Sequence, residues 1–205
     1  MKHKKIGLIA DSHSKISLME EAILHLKDMG ASSIIHLGDI CDSLKPESLD
    51  DAIDILVRHK VKAVLGNNEY MLNTEYLANN PGDVKRSTRS YLAALPYFIT
   101  MGDICFTHSL PYDWPAATRR PIKEYIPNLL EEGGCPYRII FRGHSHRPSV
   151  IESKKRHIEE YRVNPDTTLS LKKDHIYIIT VGAVEYRGCA FFDPGKEEVS
   201  FISLK

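Results

Sequence analysis

No apolar stretch in the 205 residues is long enough to cross a bilayer. A secretory leader is not expected either. After the basic start the apolar run covers only Ile6–Ala10 before Asp11 interrupts it, so this segment is expected to be a first strand. Charge of one sign is absent: Lys plus Arg and Asp plus Glu both number 27, for a formal net charge of zero. That disfavours an anionic membrane surface, and it disfavours nucleic acid, whose phosphates need a basic groove to follow. The basic cluster Ser153–His157 is short enough to read as a solvated turn. The four cysteines, Cys41, Cys105, Cys135 and Cys189, make no C-x-x-C pair. With no leader, reduced thiols and a cytoplasmic location are expected. Repeats, low-complexity tracts and linkers are also lacking. A hydrophobic fraction of 42% over this length suits one domain, residues 1–205, with a sizeable core.

What is present is an alternation. Lys5–Ala10, Ser33–Asp39 and Val61–Gly66 are short apolar runs of strand type. Between the first two, Ser17-x-x-Glu20 suggests a capping box. Met19, Ala22, Ile23 and Leu26 then fall on one helical face that Gly30 ends. Leu49, Ala52, Ile53 and Leu56 mark a second amphipathic helix. Strand–helix–strand order of this kind implies a parallel sheet. The second half is richer in strands. Tyr97–His108 reads as two strands joined at Gly102-Asp103, a helix is expected over Ile122–Glu132, and four further strand-like runs follow. The expected class is α/β, a two-layer β-sandwich of mixed sheets flanked by helices.

Each of several strands delivers a metal-type side chain just past its C-terminal end. The first is followed by Asp11-Ser12-His13, the second by Asp39 and Asp42, and the third by Asn67-Asn68-Glu69. A later strand ends in His108, and the next in Gly143-His144-Ser145-His146. In open α/β sheets ligands bind at that edge. In extended chain, residues i and i+2 point the same way, so Asp11 with His13, and His144 with His146, are expected to face shared centres. Gly38, Gly66 and Gly143 are expected to allow sharp turns there. Oxygen and imidazole donors without thiolate suit Mn, Fe, Zn or Ni.

The ordered set D-x-H, G-D-x-x-D, G-N-x-[DE], a lone His and G-H-x-H, running from Asp11 to His146, resembles the calcineurin-like metallophosphoesterases. The short length and the tail "TVGAV" are similar to the small bacterial and archaeal phosphodiesterase branch. The resemblance implies two divalent ions, Mn²⁺ first and Fe, Zn or Ni as alternatives. Asp11, His13 and His146 would hold one ion, Asp39 would bridge both, and Asn67, His108 and His144 would hold the other. Asp42 would orient a ligand. A bridging hydroxide would attack phosphorus, with Asp39, Asn67, His108 and Asn68 as the catalytic set. The expected activity is hydrolysis of a small phosphate ester, a diester ahead of a monoester. A nucleotide phosphatase on the same site and a non-catalytic scaffold are the alternatives, and self-association is left open.

Three departures from the family pattern stand out. Asn68 occupies the position where phosphoprotein phosphatases carry a histidine that protonates the leaving group; it can hydrogen-bond a substrate oxygen but is a poor general acid. Ser109 follows His108 in place of glycine, and Thr180-Val181-Gly182-Ala183 replaces the usual N-P-G-S. An extra polar segment, Glu152–Asp174, is read as a hairpin, a rim or a partner contact. Among single residues, His36 fits a core histidine or a group supporting the ligands. Cys41 fits a small buried hydrophobe. His3, His25, His59, His157 and His175 fit surface groups. Arg119, Arg120 and Arg187 are candidates for binding phosphate, and Tyr112 and Trp114 for stacking on an aromatic leaving group.

Overall fold

The computed structural model describes residues 4–42, 46–109, 135–154 and 157–205. Its first strands are buried end to end: β1 (Ile6–Ile9), β2 (Ser33–His36) and the two-residue β3 (Lys62–Ala63) pair in parallel. Between them run α1 (Ile16–Asp28) and α2 (Leu49–Arg58). The buried face of α1 is Met19, Ala22, Ile23 and Leu26, as its period predicts, and α2 buries Leu49, Ala52, Ile53 and Leu56 plus Ile55. These faces pack on Ile9 and Ile34 at the outer side of the sheet. Gly30, at φ +90°, ends α1. The expected capping box does not form. The helix begins two residues earlier than that box requires, at Ile16 with Lys15 as its N-cap; no side chain caps it, and Lys15 N–H donates to the Ser12 carbonyl in the turn that leads in.

After β3 the chain enters α3 (Asn67–Met71) at once, widens into a π-type turn over Leu72–Tyr76, and continues through α4 (Leu77–Asn79) and α5 (Arg86–Ala93). Next come β4 (Phe98–Met101) and β5 (Ile104–Thr107), the expected hairpin, and then β6 (Ile139–Arg142). The expected helix over Ile122–Glu132 lies outside the described residues, as do Tyr112, Trp114, Arg119 and Arg120. The remaining strands are β7 (Ser149–Lys154), β8 (His157–Arg162), β9 (Thr168–Ser170), β10 (Ile176–Thr180), β11 (Gly188–Asp193) and β12 (Glu198–Ser203).

They form two six-stranded mixed sheets, in the orders β3-β2-β1-β11-β12-β9 and β4-β5-β6-β10-β7-β8. The α/β sandwich is as expected, but the sheets do not divide the chain in half. The tail splits: β10 lies parallel to β6 in the second sheet, while β11 returns antiparallel to β1 in the first. The polar segment 152–174 contains the β7–β8 hairpin and then β9, so it forms one edge of each sheet. Between the sheets lie Leu8, Leu37, Phe106, Phe141, Ile179 and Phe192. The Phe141 ring of β6 sits 5.0 Å from Phe192 of β11, a direct contact across the sandwich. His175 is buried rather than on the surface, with its ring nitrogens 3.3 Å from Glu152 and 2.8 Å from Asp174.

Candidate metal centre

Parallel pairing gives β1, β2 and β3 C-terminal ends on one edge, and β5, β6 and β10 do the same in the other sheet. Both edges meet at one place. The two sheets are tied there through Asp11, whose carboxylate oxygens both accept the His144 backbone N–H, at 3.0 and 2.9 Å. Asp11 is fully buried, and Asp39 nearly so.

Two groups of donor atoms result. In one, Asp11, His13 and His146 offer ligand atoms within 4.8 Å of one another; in the other, Asp39, His108 and His144 do the same. His13 Nε2 lies 3.2 Å from His146 Nε2, and His146 Nε2 lies 3.8 Å from Asp11 Oδ1. In the second group His108 Nε2 is 2.9 Å from Asn67 Oδ1, 3.2 Å from His144 Nδ1 and 3.4 Å from Asp39 Oδ1. The other Asp39 oxygen stands 4.0 Å from His13 Nε2, so this carboxylate lies between the groups.

The donor chemistry of the second group fits a cation. His108 Nδ1 gives its hydrogen to the Leu37 carbonyl at 2.8 Å, which leaves Nε2 a lone pair in neutral imidazole. That lone pair then faces Asn67 Oδ1, His144 Nδ1 and Asp39 Oδ1, all acceptors in these roles. Ligand atoms held about 2.1 Å from one ion stand about 3.0 Å apart in octahedral and about 3.4 Å apart in tetrahedral geometry. The separations of 3.2 and 3.4 Å fall in that interval, and the 2.9 Å one lies just below it. Without a metal, a proton must serve. Burial opposes a charged His108, but Asp39, Asp11 and the Leu37 carbonyl outweigh it and raise its pKa to about 9. Burial also pushes the Asp39 carboxyl up, yet His108, the Asn68 N–H and His13 hold it below its ordinary value. His144 is lowered to about 4 by burial and by the charges of His108 and Arg142, so its imidazole is neutral.

The backbone at these positions is not extended. Asp11 (φ 51°), His13 (41°), Asp39 (55°), His144 (67°) and His146 (57°) all lie in the left-handed region. This corrects the extended-chain premise of the i, i+2 argument: the side chains are placed by strained turns, each costing about 1–3 kcal/mol, with His13 beside Asp11 and His146 in one group and His144 in the other. Of the three glycines, only Gly38 has a positive φ, at +89°. At Gly66 and Gly143 the requirement is space. A Cβ on Gly143 would stand 2.7 Å from the Ala10 Cβ and 2.8 Å from Asp11 Oδ2, and one on Gly66 would collide with the Asp39 backbone amide.

Around the two groups sit the supporting residues. Asp42 Oδ1 is 3.3 Å from His13 Nδ1, in the orienting position expected of it. The Asn68 amide lies 3.1 Å from the same nitrogen, while its backbone N–H donates to Asp39 Oδ1 at 3.0 Å. His36 is a fully buried core group. Its Nδ1 accepts the Gly38 N–H and its Nε2 lies 2.9 Å from the Ser12 hydroxyl, and burial lowers its pKa to about 3. Cys41 is buried as expected, with its thiol donating to Glu69 at 3.3 Å. Arg187 is not available for phosphate: its guanidinium is taken by the Leu204 carbonyl and Glu21.

Two residues near the centre have roles that the sequence does not assign. Glu69, fully buried, accepts N–H bonds from Asp39, Ile40, Cys41 and Gly66 and so clasps the β2 and β3 turns together. Its signal was the last letter of G-N-x-[DE]. Glu185, whose carboxylate lies 2.7 Å from His146 Nδ1, had none.

A profile of the Calcineurin-like phosphoesterase superfamily domain matches residues 5–184. No curated protein matches the chain. Among solved structures, a metallophosphoesterase from Sphaerobacter thermophilus is 22% identical, with a TM-score of 0.72 over 100% of this chain and 89% of that one. An archaeal phosphodiesterase is 16% identical with a TM-score of 0.55, over 98% of this chain and 99% of its own. A putative diadenosine tetraphosphatase is 16% identical with a TM-score of 0.58, over 98% and 93%. At these identities the likeness is one of fold. The profile match carries the assignment: this chain belongs to the calcineurin-like phosphoesterase superfamily.

Proposed function

We propose that the protein hydrolyses a small phosphodiester at a centre of two divalent ions. Asp11, His13 and His146 would hold the first, Asn67, His108 and His144 the second, and Asp39 both. The observation that carries this reading is the convergence on His108 Nε2 of three acceptors within 3.4 Å, a cluster that a proton or a metal must neutralise. Two bound ions, manganese first among the candidates, would supply Lewis acidity, lower the pKa of water and clamp an in-line displacement at phosphorus.

The chain's own residues then have distinct tasks. Asp39 spans the two groups and sets their separation. Asn67 directs its carbonyl oxygen into the second group; one hydrogen of its NH₂ donates to Asn68 Oδ1 at 3.4 Å, which leaves the other to donate to a phosphoryl oxygen. Asn68 carries no titratable proton and lies against His13, so a leaving oxygen gets no proton from this position. A site without that acid favours leaving groups that depart as anions, as aryl and other activated diesters do. A solved archaeal phosphodiesterase shares this fold.

The test is a metal-reconstituted screen. Manganese-loaded protein should hold two ions per chain and turn over bis(p-nitrophenyl) phosphate faster than p-nitrophenyl phosphate. Asp39→Ala should lower turnover by about 10³-fold, the equivalent of several kcal/mol of lost electrostatic stabilisation. Absence of turnover under every divalent metal would overturn the reading; faster monoester cleavage would overturn the diester preference alone.

A further inference from the structure

The segment after β10 departs from the family's usual N-P-G-S, and it places a carboxylate where the sequence announced none. A single 3₁₀ turn, Val184–Tyr186, is bonded to the β1 ligand loop by its backbone: Val184 N–H donates to the Ala10 carbonyl at 2.9 Å and Glu185 N–H to the Asp11 carbonyl at 3.2 Å. The Glu185 side chain then crosses to His146, with Oε1 2.7 Å from Nδ1 and 4.0 Å from His13 Nε2. A carboxylate at that distance requires the hydrogen on Nδ1. In the neutral ring the lone pair is thereby assigned to Nε2, the atom facing His13 Nε2 and Asp11 Oδ1.

His146 is less enclosed than His108. His108 is held by a backbone carbonyl in the buried interior, whereas the His146 side chain is 29% exposed and follows a left-handed turn. Its ring has Tyr186 on one side at 5.9 Å, a contact that leaves the tautomer open. We infer that Glu185 is a positioning residue for the first metal, fixing the tautomer and ring angle of His146 and adding negative charge beside Asp11. The inference rests on the two-ion reading above for its consequence, though not for the contact. Carboxylates that accept the distal N–H of a ligating histidine contribute about 10–100-fold in metal affinity.

The test uses Glu185→Ala and Glu185→Gln in the full chain, followed by manganese titration with calorimetry and counted ions. In the alanine variant the first ion should weaken about 10–100-fold while the second is unchanged. The glutamine variant should recover part of that loss, because its carbonyl still accepts the Nδ1 hydrogen without the charge. Long-range ¹H–¹⁵N NMR of metal-free protein should report Nδ1–H for His146 in the wild type and a shifted tautomer mixture in Glu185→Ala. Unfolding of the metal-free chain should move little, since the backbone bonds of residue 185 do not use its side chain. Two unaltered affinities, or equal weakening of both ions, would overturn the proposal. The tautomer reading needs no metal, so a wild-type chain that took up no ion would sink the two-ion reading while still deciding the Glu185–His146 contact.

Discussion

The Glu69→Gln substitution exchanges a carboxylate oxygen for an amide NH₂ without changing the side chain's shape. Oε1 accepts from Ile40 N (2.8 Å), Cys41 N (3.1 Å) and the Cys41 thiol, and Oε2 from Asp39 N (2.9 Å) and Gly66 N (3.0 Å). Whichever way the amide turns, its NH₂ meets two backbone N–H groups in a fully buried place. Each donor stripped of its acceptor costs about 1–3 kcal/mol, so two cost about 2–6 kcal/mol. Removing the charge returns part of this, since burial and the neighbouring Asp39 already raise the Glu69 pKa. A net loss of about 2–4 kcal/mol is expected, against a whole-domain stability of about 5–15 kcal/mol. Urea unfolding of metal-free protein would show it as a lower midpoint at unchanged slope. The exposed Glu75→Gln should stay within about 0.5 kcal/mol of wild type. If Glu69→Gln behaved like Glu75→Gln, the clasp would not contribute as the hydrogen bonds imply.

Three further outcomes follow from the site. His144→Ala and His146→Ala should each weaken a different ion, because the two side chains fall in separate donor groups; counted ions that fall at the same site in both would refute the division. Metal binding at the second group should release about one proton at pH 7.5, since metal-free His108, raised to about 9 mainly by Asp39 against the effect of burial, must give up its hydrogen. Affinity there should therefore climb as pH rises toward 9 and level off above it; calorimetry in buffers of different ionisation enthalpy measures the proton count, and none released would refute the assignment. Arg187→Ala should lower stability slightly and leave kcat/KM for a diester at the wild-type value, because its guanidinium is spent on Leu204 and Glu21; a selective fall in kcat/KM would return it to the phosphate site.

The helix faces were legible because burial on a helix obeys one period, and Met19, Ala22, Ile23 and Leu26 follow it. The site residues were legible as strand-end punctuation, since polar side chains gather where buried strands stop. The split of the tail between two sheets was not legible. The runs at β10 and β11 are both short and apolar, and their partners, β6 and β1, come from distant parts of the chain. The local geometry of the paired histidines was misjudged for a related reason: a dipeptide step carries no mark of a left-handed φ at a non-glycine residue.

The sequence by itself determined the α/β class, the two amphipathic helices and the residues that gather at the strand ends, because these follow from local periodicity and from the chemistry of each side chain. Tertiary structure alone decided the left-handed turns through which Asp11, His13, His144 and His146 converge. It also decided that Glu69 would clasp two turns and that Glu185 would orient His146. Those contacts join segments up to 133 residues apart, such as His13 with His146, and their distances are set by how two sheets stack rather than by anything written locally in the chain.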